Sequence, residues 1–420
     1  MRVLFVTYAE KTHYHMMVPL AWAMQTAGHE VRVASQVELA ETITGSGLAA
    51  VPVGTSDFHR IAEQAGEGGI QFTDPVTDLA ETDPEKLTWE SMLGSYTVRV
   101  PQYFAIANSL SMLTDLVAYA RYWRPDLVVW EPFSFSGAVA ARLTGAAHAR
   151  LLWMPDVLGV RRARFRDLLA RQEPDLRDDP LAEWLTWAME LFGGEFDEEL
   201  TTGAFDIDIV PPAFRLPAYD RRPVVNTRYV PYNGPALLPD WLLAPSEKTR
   251  VCLSMGITSS QTGAFPVSFG EVLEATADLD VEMVATVPER LQEELRTVPG
   301  NVRLSGFVPL NPLLQQCSAI VHHGGAGTQW TAVLNGVPQL MLPWQFDSVL
   351  KARMLREVGA GLAVERHELT AEGLRTDLER LLKEPSFAEA ATRLRDQTLA
   401  TPSPNEVVPL LEKLATEHRR

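Results

Sequence analysis

The chain opens on a strand-like apolar segment over 3–7. A polar stretch over 8–15 follows, then an apolar pattern of helical period over 18–26 that stops at Gly28. Glycine at that position reaches the left-handed conformation that ends many helices. A β-branched stretch over 30–34 comes next, so the opening reads strand, loop, helix, strand. The unit recurs. Residues 127–130 form a wholly apolar strand after Pro125, 137–143 a helix of small residues stopped by Gly145, and 149–153 the next strand. Strands without polar alternation, interleaved with helices, predict a parallel sheet covered on both faces.

Between 57 and 120 the pattern loosens into acidic loops and amphipathic helices, and a helical insert over 160–205 carries Trp184 and Trp187. Pro217, Pro223, Pro231, Pro235 and Pro239 then crowd together with Asn233 and Gly234, which reads as an inter-domain linker. A second α/β series starts beyond it. Strands are predicted over 250–255, 281–286, 302–305, 319–322 and 339–342, with a polar loop over 256–262. Helices are predicted over 269–277, from 327 onward, and over 369–382, 387–399 and 406–418. The expected division is a first Rossmann-like domain over 1–218, a linker over 219–247, a second over 248–400, and a helix over 401–420 returning to the first. Such sheets hold ligands at the carboxyl ends of their strands. Two doubly wound α/β domains facing across a cleft would hold one ligand on each wall, which suits transfer of a group between molecules.

Composition narrows the field. The 420 residues are 46% hydrophobic and 22% charged, which excludes a disordered or fibrous chain. The net charge of 37 − 54 = −17 repels nucleic acid and anionic membrane surfaces, so neither is expected as a partner. Cys252 and Cys317, the only cysteines, make neither a disulfide framework nor a four-thiolate zinc site, and point to a reducing cytoplasm. No stretch approaches the ~18 apolar residues of a membrane span. The opening apolar run is also shorter than the ~7–15 residues of a signal-peptide core.

The strongest chemical signal is the run His322-His323-Gly324-Gly325-Ala326-Gly327-Thr328 between a predicted strand and a predicted helix. Its glycines let backbone N–H groups approach an anion closely, and a helix N-terminus favours negative charge. Histidines beside such a nest can donate to a phosphate. The glycines lack the GxGxxG spacing and a later ribose-binding acid, which disfavours a nicotinamide dehydrogenase, and the Walker lysine pattern is absent. The pairs Asp206-Ile207-Asp208 and Asp278-Leu279-Asp280 sit at no Gly-rich loop and read as solvated acids. No His/Cys/Asp cluster has zinc spacing, so no metal is expected. Trp184, Trp187 and Phe192 read as core more readily than as an acceptor pocket. These residues leave open an oxidoreductase, a nucleotide-sugar epimerase on a similar scaffold, or a catalytically silent binding subunit.

The His-His-Gly-Gly-Ala-Gly-Thr run, with Gly336-Val337-Pro338 and Leu342-Pro343 downstream, resembles the donor region of GT-B glycosyltransferases. It is similar in particular to inverting transferases that attach deoxysugars to macrolides. The resemblance spans nearly the whole chain and includes 18–23, 27–31, 124–128, 179–187 and 232–235. The last two segments narrow it to the desosaminyl, mycaminosyl and mycarosyl type. It implies an inverting transfer of a deoxysugar, an amino sugar by preference, from a dTDP-sugar co-substrate to a macrolide hydroxyl, without a cofactor. It also implies a cytochrome P450-like auxiliary partner, and a homo-oligomer is compatible with it. By position, His323 and the backbone of Gly325, Ala326, Gly327 and Thr328 would hold the diphosphate. Ser254 and Gly256 would close its other side, and Phe307 and Val308 would stand at the base. Asp347 and Ser348 would meet the sugar. His13 matches the family base by its distance to His29, and histidine suits deprotonation of an alcohol near neutral pH. Glu131, at the end of a strand of the same sheet, is the carboxylate expected to orient it. His15 is a weaker competitor, and His29 reads as structural.

Overall fold

The computed structural model describes residues 1–67, 79–244, 246–256, 268–293, 295, 297–343 and 346–420. The polar loop expected over 257–262 and part of the acidic stretch after 57 lie outside them. The chain divides into two compact units. One comprises Met1–Val210, Leu216–Arg228 and Pro402–Arg420, the other Pro211–Arg215 and Tyr229–Thr401.

The first unit is built on a parallel sheet in the order β3-β2-β1-β4-β5-β6-β7. Its strands are Arg2–Val6, Glu30–Ser35, Ala49–Pro52, Leu127–Trp130, Ala147–Leu152, Phe205–Asp208 and Val224–Asn226, numbered β1 to β7 in chain order. In β1, Val3 to Val6 are buried completely, as are the four residues of β4, apart from a trace at Val129. That double-sided burial is what the unbroken apolar runs foretold. The strand order reverses between β1 and β4, where Val6 pairs with Trp130. The second unit repeats the plan in the order β10-β9-β8-β11-β12-β13. Here the strands, β8 to β13, are Arg250–Ser254, Glu282–Thr286, Val302–Ser305, Ala319–His322, Gln339–Met341 and Gly361–Ala363. Its reversal lies between β8 and β11, where Ser254 pairs with His322.

Three sequence expectations change. The helix after β1 starts at Lys11, not at 18, with the Glu10 side chain capping the Thr12 N–H. Burial of Tyr14, His15, Met16 and Met17 outweighs the polar look of this turn, and Pro19 is carried inside the helix. The proline-rich stretch 219–247 is not one linker: β7 completes the first sheet, and the chain from Tyr229 on belongs to the second unit. Asp206 and Asp208 lie buried in β6 rather than in a solvated loop, with Asp206 paired to Arg150 and Arg222. Asp278 and Asp280 are solvated. The last helix, Pro404–His418, packs within the first unit, where His29 faces Glu412 at 3.0 Å and Arg420 N–H donates to Gly145.

Candidate functional site

Each unit places its central candidate residues where its strand order reverses, the point at which parallel sheets open a crevice for ligands, while Phe307 and Val308 follow the edge strand β10 and Asp347 and Ser348 follow β12. In the first unit, His13 lies in the first turn of the helix that follows β1, and Glu131 directly follows β4. Glu131 N–H donates to Val6 at the end of β1, tying the two strand ends together. His13 Nδ1 is 3.0 Å from Glu131 Oε2. The other carboxylate oxygen accepts from Ser134 Oγ at 2.5 Å and Phe133 N–H at 3.2 Å. A buried carboxyl with a donor on every side is the pattern of an acceptor-only carboxylate, so His13 carries its proton on Nδ1 and offers a lone pair at Nε2. Glu131 is fully buried, whereas the His13 side chain retains 12% exposure.

Rings fix the imidazole. Trp153 and Tyr8 lie edge-on at 4.3 and 4.9 Å, and Phe133 is tilted at 5.7 Å. Tyr8 Oη is 3.2 Å from His13 Nε2 and 3.0 Å from Tyr103 Oη. Burial, then Tyr103 and Glu131 nearby, push the Tyr8 phenol well above its ordinary pKa, and burial raises Tyr103 too, so both stay protonated. Tyr8, Tyr103 and Trp153 were not singled out from the sequence, although Tyr8 stands two residues beyond β1, at the carboxyl edge where ligands bind. His15 is buried, and burial followed by Lys11 pulls its pKa down to about 4, which makes it a neutral core histidine. His29 bonds the N-terminal amine at 3.1 Å. Trp184 packs on Phe135 at 5.9 Å and Trp187 is exposed, so neither joins the rings around His13.

In the second unit, helix Ala326–Asn335 starts at Gly325 with no side-chain cap. Its first main-chain bond runs from Gln329 N–H to Gly325. The N–H groups of Ala326, Gly327 and Thr328 precede that bond and face outward as an anion nest. His323 sits between this turn and the end of β8. A Cβ on Gly256, whose φ is +78°, would lie 2.3 Å from His323 Cε1, and one on Gly325 would lie 2.6 Å from Nε2. Only glycine at both positions leaves room for the ring. Burial, then Lys351, lowers the His323 pKa to about 4, while a bond to the Ser254 main chain works the other way. The ring is therefore a neutral hydrogen-bond group. Ser254, Gly256, His323 and Gly325 are thus brought together. His322 takes no part: it is fully buried, accepts Gly324 N–H at Nδ1 and bonds Gln339 at 3.0 Å.

Asp347 and Ser348 are buried at the start of helix Ser348–Val358, with Ser348 packed under Gly324. Asp347 Oδ2 is paired at 2.9 Å with the buried Lys351, one turn later. Lys351, absent from the sequence reading, was signalled by that spacing. Phe307 is 55% exposed and free to stack on a base, but Val308 is 5% exposed and packed among Cys252, Val284 and Leu313. The Val308 side chain belongs to the core, which leaves its main chain to meet a ligand. Among the described residues no group of three His, Cys, Asp or Glu could hold a metal ion.

Comparison with known proteins adds the family. Residues 22–256 match the N-terminal domain model described as erythromycin biosynthesis protein CIII-like, and residues 270–414 match the C-terminal one. The 10-deoxymethynolide desosaminyltransferase of Streptomyces venezuelae is 51% identical over 100% of this chain and 98% of its own. The Aclacinomycin-T 2-deoxy-L-fucose transferase of Streptomyces galilaeus is 49% identical over 100% of this chain and 97% of its own. The crystal structure of the glycosyltransferase VinC in complex with dTDP aligns with a TM-score of 0.89 at 40% identity, covering 99% of this chain and all of the other.

Proposed function

The chain belongs to the erythromycin biosynthesis protein CIII-like family of GT-B glycosyltransferases, and from that premise we propose that it transfers a deoxysugar, by preference an amino sugar, from a dTDP-sugar to a hydroxyl of a macrolide aglycone with inversion. The relative named for 10-deoxymethynolide and desosamine supports the acceptor and sugar classes. The dTDP bound to VinC supports the nucleotide. The observation that carries the reaction type is the His13–Glu131 pair, a base whose lone pair faces away from its carboxylate.

The chemistry is one displacement. The acceptor O–H bond breaks as its proton passes to the base at His13. The alcohol oxygen bonds to the anomeric carbon as the carbon–oxygen bond to the diphosphate breaks. Glu131 stabilises the imidazolium that forms, and dTDP leaves into the N–H groups of Ala326, Gly327 and Thr328 beside His323. Positioning and preorganised dipoles supply most of the rate in such transfers. Because a helix N-terminus receives the leaving charge, the reading requires no metal or other cofactor.

Its remaining parts are a cytochrome P450-like auxiliary protein, a homo-oligomer and a cytoplasmic location, each resting on the family resemblance or the cysteine count. Among the described residues no helix is long and apolar enough to cross a membrane. The near-equal identity to an anthracycline-type sugar transferase favours aromatic polyketides as a second acceptor class. Incubation with a panel of dTDP-deoxysugars, macrolactones and aromatic polyketide acceptors, with and without the auxiliary protein, is read by mass spectrometry. A macrolactone gaining one deoxysugar is the expected product. Glycosylation confined to aromatic acceptors, or donor consumed without transfer, would overturn the macrolide reading.

A further inference from the structure

The hydrogen bonds around His13 have a direction. Glu131 accepts from Nδ1, so Nε2 can only accept, and the group at hand to donate is Tyr8 Oη at 3.2 Å. Having given its one proton to Nε2, Tyr8 accepts from Tyr103 at 3.0 Å. The chain therefore runs from Tyr103 through Tyr8 and His13 to Glu131. The lone pair that a base must present to its substrate is already occupied.

Tyr8 is poorly placed to step aside. It is 5% exposed, and His13, Phe58 and Tyr103 hold its ring edge-on at 4.9, 5.3 and 6.4 Å. Swinging it out would break all three contacts. Its oxygen, with one lone pair taken by Tyr103, keeps a second for a third partner.

We propose that Tyr8 is the proton carrier between the acceptor hydroxyl and His13. This rests on the reading of His13 as the base. The acceptor O–H donates to Tyr8 Oη. As the alcohol oxygen attacks the anomeric carbon, its proton moves to Tyr8 and the Tyr8 proton moves to His13 Nε2. One O–H bond breaks and re-forms on the phenol, one N–H bond forms, and the electron pair of the broken glycosyl bond leaves with dTDP. Tyr8 ends as it began, neutral. A phenol held protonated by burial suits concerted passage, since no phenolate accumulates.

The test is Tyr8→Phe, which keeps the ring contacts and removes only the hydroxyl. Single-turnover transfer should slow by about 10²-fold or more, the span of general acid–base catalysis. Affinity for dTDP should hold within about threefold, and acceptor KM should rise by no more than about tenfold for one lost neutral hydrogen bond, so that the larger loss falls on the rate of transfer. In mixtures of light and heavy water, the wild-type rate should follow a curved proton inventory with two protons in flight, and the variant a linear one. Tyr103→Phe, which removes only the outer donor, should cost less than tenfold. A Tyr8→Phe enzyme as fast as wild type, or faster, would make Tyr8 a displaceable cap and overturn the proposal. So would a linear wild-type inventory, which decides the matter even if the variant fails to fold. His13→Ala separates the two readings: an active His13→Ala removes the base itself, whereas an inactive one beside an active Tyr8→Phe removes only the carrier.

Discussion

Replacing Glu131 by glutamine changes one atom and should reverse the polarity of the base. In the native protein one Glu131 oxygen accepts from Ser134 Oγ and Phe133 N–H, while the other accepts from His13 Nδ1. Two donors on one side force the glutamine carbonyl to that side, so the amide NH2 must face Nδ1. Nδ1 can then only accept, the proton moves to Nε2, and the lone pair that should take up a proton during transfer is lost. The Tyr8 contact at 3.2 Å does not resist the flip, because a phenol can accept from Nε2 as readily as it donates. Losing a general base costs about 10²–10⁴ in rate. That is about 2.7–5.4 kcal/mol of barrier at 1.36 kcal/mol per tenfold. The same carboxylate-to-amide change in a serine-protease triad costs about 10⁴ through the wrong tautomer.

Glu131→Gln should therefore lower single-turnover transfer by about 10³-fold while leaving dTDP binding in calorimetry unaltered. Glu131→Asp keeps the charge but withdraws it by one methylene, and should fall in between. A glutamine variant within tenfold of wild type would refute the tautomer argument. A loss that came with weakened dTDP binding would show that Glu131 acts through the fold instead.

His323→Ala should weaken dTDP binding by about 10-fold or more, the worth of a hydrogen bond to a charged group. Gly256→Ala should weaken it comparably, because a Cβ 2.3 Å from the ring displaces the same histidine; calorimetric affinity equal to wild type in either variant would count against the nest. Phe307 and Val308 should separate cleanly. Phe307→Ala should cost dTDP affinity by about 2- to 10-fold through lost stacking, with no change in melting temperature. Val308→Ala should cost about 1–2 kcal/mol of stability in urea unfolding and leave affinity intact; the reverse pattern would overturn the assignment of exposed and core roles. Acid should destabilise the fold well above the carboxylate range. His15 and His322 are held neutral to about 4 and about 3, whereas in the unfolded chain they take up protons near 6.5. Stability is therefore full above that value and falls with pH by about 1.4 kcal/mol per unit for each buried histidine. The urea midpoint should drop between pH 7.5 and 5.5, less steeply in His322→Gln, and an unchanged midpoint would refute it.

The strands that could be read from sequence are those with uninterrupted apolar runs. Leu127–Trp130 is placed to the residue on that ground; Val302–Ser305 is placed to the residue as well, although Arg303 and Ser305 interrupt its run. Those that escaped carry polar or short segments. In β6, Asp206 looks solvated because its neutralising partners, Arg150 and Arg222, are not its neighbours in sequence, and desolvation is repaid only once the fold brings them together; Asp208 accepts Val210 N–H instead. The start of the first helix was misjudged for a related reason. The polar stretch over 8–15 reads as a loop, yet packing of Tyr14, Met16 and Met17 extends the helix back to Lys11. That extension matters for the site, since it places His13 on a rigid turn rather than in a loop.

What the site shows beyond the sequence follows from how a parallel sheet assembles chemistry. Residues contiguous in the chain, such as Gly325 to Thr328, announce themselves because a helix N-terminus is a local object. Residues contiguous only in space do not: Glu131 reaches His13 across more than a hundred positions because β1 and β4 are neighbours, and Tyr103 enters from a helical insert that the alternating pattern left vague. Topology alone makes the strand end after β4 a neighbour of the helix after β1, so a carboxylate there was inferable. Nothing local marked Tyr103, because a lone tyrosine in an amphipathic stretch is ordinarily core. Its hydroxyl acquires meaning only when Tyr8, buried and aimed at Nε2, needs a donor of its own. His13, the proposed base, thereby belongs to a four-residue hydrogen-bonded chain rather than a dyad. The imidazole is held from both sides, by the Glu131 carboxylate at Nδ1 and by Tyr8, itself bonded to Tyr103, at Nε2.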